Sequence, residues 1–182
     1  MKAANIDKNS REYLEGKKNG ARHSILLVLV FTVVNLVLLL TESDRYFLFS
    51  ASIPYYLTAF GMGMDMEAGG SVFTTTALVI SGVCLAAYLL SWILSKRKVG
   101  WYVVALVLFI IDTVLFVLMA LAMNLLTDSI MDLVFHAWVI LELCQALIAH
   151  TKLKNMPEVV VEEPIPAAAV PVSEEPWNTP GE

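Results

Sequence analysis

Ionisable side chains interrupt the apolar stretches of this 182-residue chain at Asp112, His136 and Glu142. A charged side chain at the centre of a bilayer costs about 2.5–3.5 kcal/mol on insertion scales, so each of the three needs a partner or a function. Carboxylates and imidazoles at such depth are the groups with which transporters relay protons or hold cations. Their spacing therefore decides whether they can act together.

The rise of about 1.5 Å per helical residue predicts that several polar residues share one depth. Counted from the basic end of each predicted span, most lie roughly 16–21 Å deep, and Glu142 lies at about 12 Å. The candidate intramembrane polar layer consists of Asn35, Ser81, Cys84, Asp112, His136 and Glu142.

Two interpretations of this layer remain open. In the first, Asp112, His136 and Glu142 relay protons or hold a cation. In the second, Asp112 is a hydrogen-bonded partner of His136 or Asn35 that fixes which helix faces which.

Other chemistries lack their motifs. Cys84 and Cys144 lie on separate predicted helices without a C-x-x-C motif, and the chain contains neither H-E-x-x-H nor G-x-S-x-G. The sequence thus predicts no enzyme, no cofactor and no metal site.

The composition requires a membrane. Hydrophobic residues make up 58% of the chain and charged residues 16%, with a mean hydropathy of +0.70. Soluble domains are less apolar and more charged, so this composition excludes a soluble enzyme. The net charge of −5 argues against nucleic acid as a partner, and two cysteines do not make a disulfide-rich secreted module.

Stretches long enough to cross a bilayer predict an all-α integral membrane four-helix bundle. The predicted spans are about 24–40, 71–95, 99–123 and 129–150, with an outer loop at 41–70. This arrangement places 11 of the 12 Lys and Arg residues on one side, as the positive-inside rule requires. A fifth span would divide them 6 to 6. We therefore expect a protein of the cell membrane with both termini in the cytoplasm.

The segment Tyr46 to Met64 is uncharged and aromatic, with Pro54 near its middle. With four spans it is either an interfacial amphipathic segment on the outer face or a re-entrant helix that dips in and returns at Pro54. Aromatic rings favour the headgroup region, whereas irregular backbone at greater depth must be covered by the bundle.

The ends of the chain differ from the middle. Residues 1–23 are predicted to be a basic cytoplasmic head that touches anionic lipid. Residues 151–182 are predicted to be a disordered, acidic, proline-rich tail, since six of the seven prolines lie there. The transmembrane domain between them is 24–150.

A heptad-like seam of small and hydroxyl residues predicts the inward face of the second span, and matching faces are predicted on the third and fourth spans. On the second span the predicted seam is Thr74, Ala77, Ser81, Cys84, Tyr88, Ser91 and Ser95. On the third span the predicted face is Ala105, Leu108, Asp112, Leu115, Met119 and Ala122. On the fourth it is Asp132, His136, Ile140 and Leu143, flanked by Glu142, Gln145 and Ala149.

The run SDRYFLFSASIPYYL at Ser43 to Leu57, with the first span before it, resembles small four-span membrane proteins of Gram-positive bacteria to which no activity is assigned. The resemblance covers mainly residues 24–57. It implies a four-span fold and carries over no catalytic or binding residue.

These features favour a non-enzymatic accessory or structural membrane subunit. Its predicted partners are the lipid bilayer, a homo-oligomer or another membrane protein, and a cytoplasmic protein that binds the acidic tail. The alternative is a small transporter or proton-coupled permease that uses Asp112, His136 and Glu142.

Overall fold

The computed structural model describes residues 8–43, 45–127 and 129–157, which form five helices and no strand. In chain order the helices are α1 (Arg11–Leu40), α2 (Ser52–Ala68), α3 (Val72–Leu94), α4 (Gly100–Ala122) and α5 (Ile130–Lys154). All but α2 are long and apolar enough to cross a membrane. This confirms an all-helical fold with four candidate spans. The predicted tail from residue 158 onward and the first seven residues lie outside the described part.

Helix α1 begins well before its predicted span. Ser10 caps the helix by accepting a hydrogen bond from the Tyr13 N–H at 3.3 Å. The helix then continues through the predicted basic head, because residues 11–23 contain strong helix formers and no proline. Leu14 and Ala21 are buried along this part of the helix. The described part of the head is therefore an extension of the first span.

Most of the basic residues lie at one end of the bundle, here named the basic end. It contains the start of α1, the end of α3, the start of α4 and the end of α5. The Tyr102 hydroxyl donates to the Lys18 carbonyl at 3.1 Å, and Lys152 Nζ donates to Asn9 Oδ1 at 3.0 Å. Successive long helices are consequently antiparallel, as in an up-and-down bundle.

The short helix α2 starts at half the height of the bundle. Its first turn contacts Asp112, which lies midway along α4. From there α2 runs to the end opposite the basic end, where Gly69 adopts a left-handed conformation with φ of 70°. Glycine is suited to this helix terminus because it has no Cβ to clash. The chain then turns directly into α3, against which α2 packs.

The predicted inward faces are correct in part. On α3 the residues Ala77, Ser81, Tyr88 and Ser91 are buried, whereas Thr74 and Cys84 are only half-buried. On α5 the buried residues are His136, Val139, Leu143, Ala146 and Ala149.

The inward face predicted for α4 departs from the observed buried face in the second half of the helix. Its buried residues are Tyr102, Ala105, Phe109, Asp112, Phe116 and Ala120. Leu115, Met119 and Ala122 are exposed, so their predicted inward orientation is wrong. The prediction followed a 3.5-residue repeat, and an ordinary α-helix drifts by about 20° per heptad relative to that repeat.

Candidate functional site

The carboxylate of Asp112 binds the start of α2. Asp112 Oδ2 accepts the Ser52 N–H at 2.9 Å, and Oδ1 accepts the Ile53 N–H at 2.8 Å. These N–H groups have no partner within α2, since the first turn of a helix leaves its donors unsatisfied. The positive end of the α2 dipole also favours a negative group at this position. Asp112 thus acts as an N-terminal cap that is supplied by another helix.

His136 completes the site from α5. Its Nε2 lies 3.1 Å from Asp112 Oδ2, and its Nδ1 lies 2.8 Å from the Asp132 carbonyl oxygen. A carbonyl oxygen only accepts, so Nδ1 carries a proton. The contact between Nε2 and the carboxyl group then requires one further proton, on the imidazole or on Asp112. The pair therefore holds one shared proton and is neutral overall in either arrangement.

Two phenylalanine rings of α4 enclose the imidazole. The ring centroids of Phe109 and Phe116 lie 4.9 and 5.1 Å from that of His136, with interplanar angles of 20° and 8°. Residues three and four apart share a helix face, so Phe109 and Phe116 flank Asp112 on α4. The arrangement fixes the ring plane and directs Nε2 toward the carboxylate.

Two side chains of α1 hold the non-helical backbone that precedes α2. Asn35 Nδ2 donates to the Phe47 carbonyl at 2.7 Å and to Ser50 Oγ at 2.8 Å, while its Oδ1 accepts the Phe47 N–H at 2.8 Å. Thr32 Oγ1 accepts the Ala51 N–H at 2.8 Å. Both α1 residues are fully buried. Irregular backbone away from water needs such partners for its polar groups.

Helix α3 contacts the same region through Ser81. Its hydroxyl donates to the Pro54 carbonyl at 3.2 Å and lies 3.3 Å from Thr58 Oγ1. Pro54 lies in the first turn of α2, where its missing N–H removes a donor that would otherwise lack a partner. With Thr32 and Asp112, the N–H groups from Ala51 to Ile53 are all satisfied.

Four of the six residues of the predicted layer converge on residues 47–54. Asn35, Ser81 and Asp112 bind this segment directly, and His136 binds it through Asp112. Thr32 and Thr58 were missed by the sequence analysis. Thr32 lies three residues before Asn35, and that helical spacing was the available signal.

Cys84 and Glu142 do not join the others. Cys84 is a half-buried free thiol. Glu142 lies beside α1 nearer the basic end, where its Oε2 would be 3.1 Å from a Cβ placed on Gly20. Within the described residues, no group of three or more His, Cys, Asp or Glu side chains is placed to hold a metal ion.

A second carboxylate caps α3 at the opposite end of the bundle. Asp65 Oδ1 accepts the Phe73 N–H at 3.0 Å, and Oδ2 accepts the Thr74 N–H at 2.7 Å. Burial raises the pKa of Asp65, but hydrogen bonds from Thr74 and Phe73 outweigh it and leave the pKa below its usual value. Asp65 also lines a surface cavity of about 310 Å³. Carboxylates therefore bracket α2 at both ends.

No protein family matches this chain, and neither a curated protein nor a solved structure is significantly similar to it. The function has to be inferred from the geometry.

Proposed function

We propose that the chain is a non-enzymatic accessory or structural subunit of the cell membrane, with both termini in the cytoplasm. In this proposal its four spans form a scaffold that holds residues 45–68 as a rigid re-entrant segment on the outer side. One observation carries the proposal: polar side chains of all four spans converge on the backbone of residues 47–54 and bind it, either directly or through Asp112.

The depth of Asp112 supports the re-entrant placement over the interfacial one. Asp112 lies midway along a span of 23 residues, so backbone that binds it lies near the bilayer midplane. Lipid offers no hydrogen bonds to irregular backbone, which is tolerated at that depth only where protein covers it. The contacts of Asn35, Thr32 and Ser81 supply that cover.

The saturation of the buried pair supports a structural role. Both oxygens of Asp112 and both ring nitrogens of His136 already have protein partners. The pair is buried between aromatic rings, with Asp112 1% and His136 3% exposed. A ligand would have to displace these hydrogen bonds, which would cost free energy. A transport site that is open to its substrate has no such cost.

A proton-coupled permease is the second candidate, and the shared proton of Asp112 and His136 favours it. Transfer of that proton between carboxylate and imidazole changes no net charge, so it is compatible with a low-dielectric interior. The pair would pass a proton across the bundle if a proton pathway opened on each side of it.

Disulfide cross-linking tests the depth of α2. Ile53 and Leu115 line one cavity between α2 and α4. Ala122 is the last residue of α4 and lies nearer the end of the bundle that is opposite the basic end. In a background that lacks Cys84 and Cys144, Ile53→Cys with Leu115→Cys should cross-link in membranes. The matched pair Ile53→Cys with Ala122→Cys should not. The reverse result would place the segment in the interface.

Proton flux separates the two candidate functions. Proteoliposomes that contain the full chain and a pH-sensitive dye should show the same proton leak as empty liposomes under an imposed gradient. A flux that Asp112→Asn abolishes, while the melting temperature stays measurable and the helix content is unchanged, would establish the permease instead.

Cross-linking in native membranes tests the accessory role. The full chain should be recovered with a protein partner, and removal of residues 157–182 should lose a partner that binds the tail. Recovery of the same partner without the tail would assign the contact to the membrane domain.

An impermeant thiol reagent tests the orientation. In the same cysteine-free background, Arg97→Cys at the basic end should be shielded from reagent outside intact cells. Met66→Cys is the matched control, since Met66 is 83% exposed near the opposite end of the bundle and should react. Labelling at residue 97 would overturn the proposed orientation.

A further inference from the structure

A cavity of about 200 Å³ opens at the basic end between α1, the end of α3 and the start of α4. It is lined by Glu15, Lys18, Asn19, Arg22, Ser95, Lys96 and Tyr102. It lies far from the Asp112 layer and shares no residue with it. The function proposed above leaves this cavity unused.

The lining carries a positive excess. Lys18, Arg22 and Lys96 contribute three cations against the one carboxylate of Glu15. Among the described residues the only ion pair joins His136 and Asp112. None of these three cations therefore lies within ion-pair distance of a carboxylate of the described residues. Glu15, Lys18 and Arg22 also lie on one face of α1, at spacings of three and four residues. The cations therefore retain their capacity to bind an anion.

Arg22 carries the clearest sign of a missing partner. Its Nε is buried and has no hydrogen-bond partner among the residues that the structure describes. The guanidinium carbon lies 6.0 Å from the centre of the Trp92 ring, so an aromatic face holds the fork in place. A buried polar group without a partner calls for an explanation such as an absent ion or ligand. The planar guanidinium is also the side chain that recognises phosphate with paired hydrogen bonds.

The wall of the cavity is held in place by hydroxyl contacts. Tyr102 is fully buried and donates to the Lys18 carbonyl, which joins the start of α4 to α1. Ser95 donates to the Trp92 carbonyl at 2.9 Å at the end of α3. Helix α1 and the turn after α3 thus place Lys18, Arg22 and Lys96 around one volume, and the hydroxyl contacts that hold its wall use none of these cations.

We infer that this cavity binds a phosphoryl group, supplied by the headgroup of an anionic phospholipid at the membrane surface. Basic pockets between helices on the cytoplasmic side are suited to lipid phosphates, because a nearby negative leaflet raises the local concentration of anions. A soluble phosphate compound presents the same chemical group and is the other source. This inference does not depend on whether the Asp112 layer is structural or transports protons.

Lipid titration of the purified full chain, followed by native mass spectrometry, tests the site. Phosphatidylglycerol should bind the wild type saturably, whereas phosphatidylcholine should not. Lys18→Gln with Lys96→Gln should weaken phosphatidylglycerol binding by about tenfold or more, since each basic residue near an anionic surface contributes about a factor of five. Arg22→Gln should do the same, with Arg22→Lys retaining part of the binding.

The matched control is Arg97→Gln with Lys98→Gln, which removes the same charge at the same end from exposed residues that do not line the cavity. It should leave binding within about twofold. Equal losses in the control and in the cavity variant would reduce the effect to general electrostatic attraction and overturn the site. Unchanged binding in the cavity variant would overturn it as well.

Inorganic phosphate distinguishes the two sources. If millimolar phosphate displaces phosphatidylglycerol from the wild type, the site takes a free phosphoryl compound as well as a headgroup. If phosphate does not compete while the lipid binds, the lipid is the ligand. Failure of both phosphatidylglycerol and phosphate to bind the wild type would refute the inference.

Discussion

Asp112 and Asp65 perform the same local chemistry at opposite ends of α2. Each carboxylate accepts backbone N–H groups from the first turn of a helix, α2 for Asp112 and α3 for Asp65. Asp65 caps a helix that follows it closely in the chain, beside a surface cavity. Asp112 caps a helix that lies about 60 residues earlier, in the middle of the bundle.

The surroundings make the two caps unequal. Asp65 is 7% exposed but lines a surface cavity at the end of the bundle, so its cap lies nearer to water than that of Asp112. Asp112 lies midway along α4 and is 1% exposed, and the proton that it shares with His136 keeps the pair neutral. We conclude that depth, rather than the hydrogen bonds themselves, explains why one carboxylate needs an ionisable partner.

Removal of the deep carboxylate should have the largest effect. Asp112→Ala leaves the Ser52 and Ile53 N–H groups and the His136 ring without their partner, at an expected cost of about 3–5 kcal/mol in the free energy of unfolding. Asp65→Ala is the matched control and should cost clearly less. Unfolding by denaturing detergent in mixed micelles measures both. Equal losses would show that depth does not distinguish the two caps.

If Asp112→Ala does not fold, the milder variant Asp112→Asn is measured in its place. The amide oxygen still accepts one N–H, while the NH₂ group opposes the other. The destabilisation should then fall between those of the two alanine variants. A variant as stable as the wild type would contradict the capping role.

Replacement of the imidazole should make the two caps chemically alike. His136→Phe preserves the stack between Phe109 and Phe116 but leaves Asp112 with the N–H groups alone, as at Asp65. We expect a loss of about 2–3 kcal/mol, because a buried charged group loses a hydrogen-bonded partner. Combined with Asp112→Ala, the losses should be less than additive. Additive losses would show that His136 acts independently of Asp112.

The sequence predicts the parts of this fold that depend on local patterns. Hydropathy locates the four candidate spans, and helical rise groups Asn35, Ser81, Asp112 and His136 at one depth. Each follows from a short-range rule, either apolar length or rise per residue.

The backbone segment that the polar layer binds, residues 47–54, could not be predicted from such short-range rules. No local pattern connects Asp112 to Ser52, whose backbone it binds from about 60 residues away. Backbone N–H groups are the same in every residue, so the sequence gives no sign of which ones lack partners. The predicted inward face of α4 was wrong because an α-helix drifts by about 20° per heptad relative to the 3.5-residue repeat that the prediction followed. As a result Phe116, rather than Leu115, faces the core.

The close approach of α2 to α3 allows a test at the Asp65 end. A Cβ at Gly61 would lie 2.8 Å from the Phe73 carbonyl oxygen, next to the N–H that Asp65 caps. Gly61→Ala should therefore cost about 1–3 kcal/mol through overpacking. Gly63→Ala is the matched control, since no atom of the described residues lies within 4 Å of a Cβ placed there, and it should be neutral or stabilising. If both variants unfold alike, α2 and α3 are not in contact.

The smallest expected effect is the pH dependence of the Asp65 cap. A carboxyl group whose pKa is lower in the folded state stabilises the fold above its unfolded pKa of about 3.8, and that contribution is lost as the pH falls through the folded pKa. Asp65→Asn should lower the melting temperature by about 2–4 °C at pH 7, and this difference from the wild type should shrink as the pH falls below about 3.8 toward pH 3. Thermal melts of both chains between pH 7 and pH 3 measure this convergence. A constant offset across that range would mean that Asp65 stabilises α3 by its shape and not by its charge.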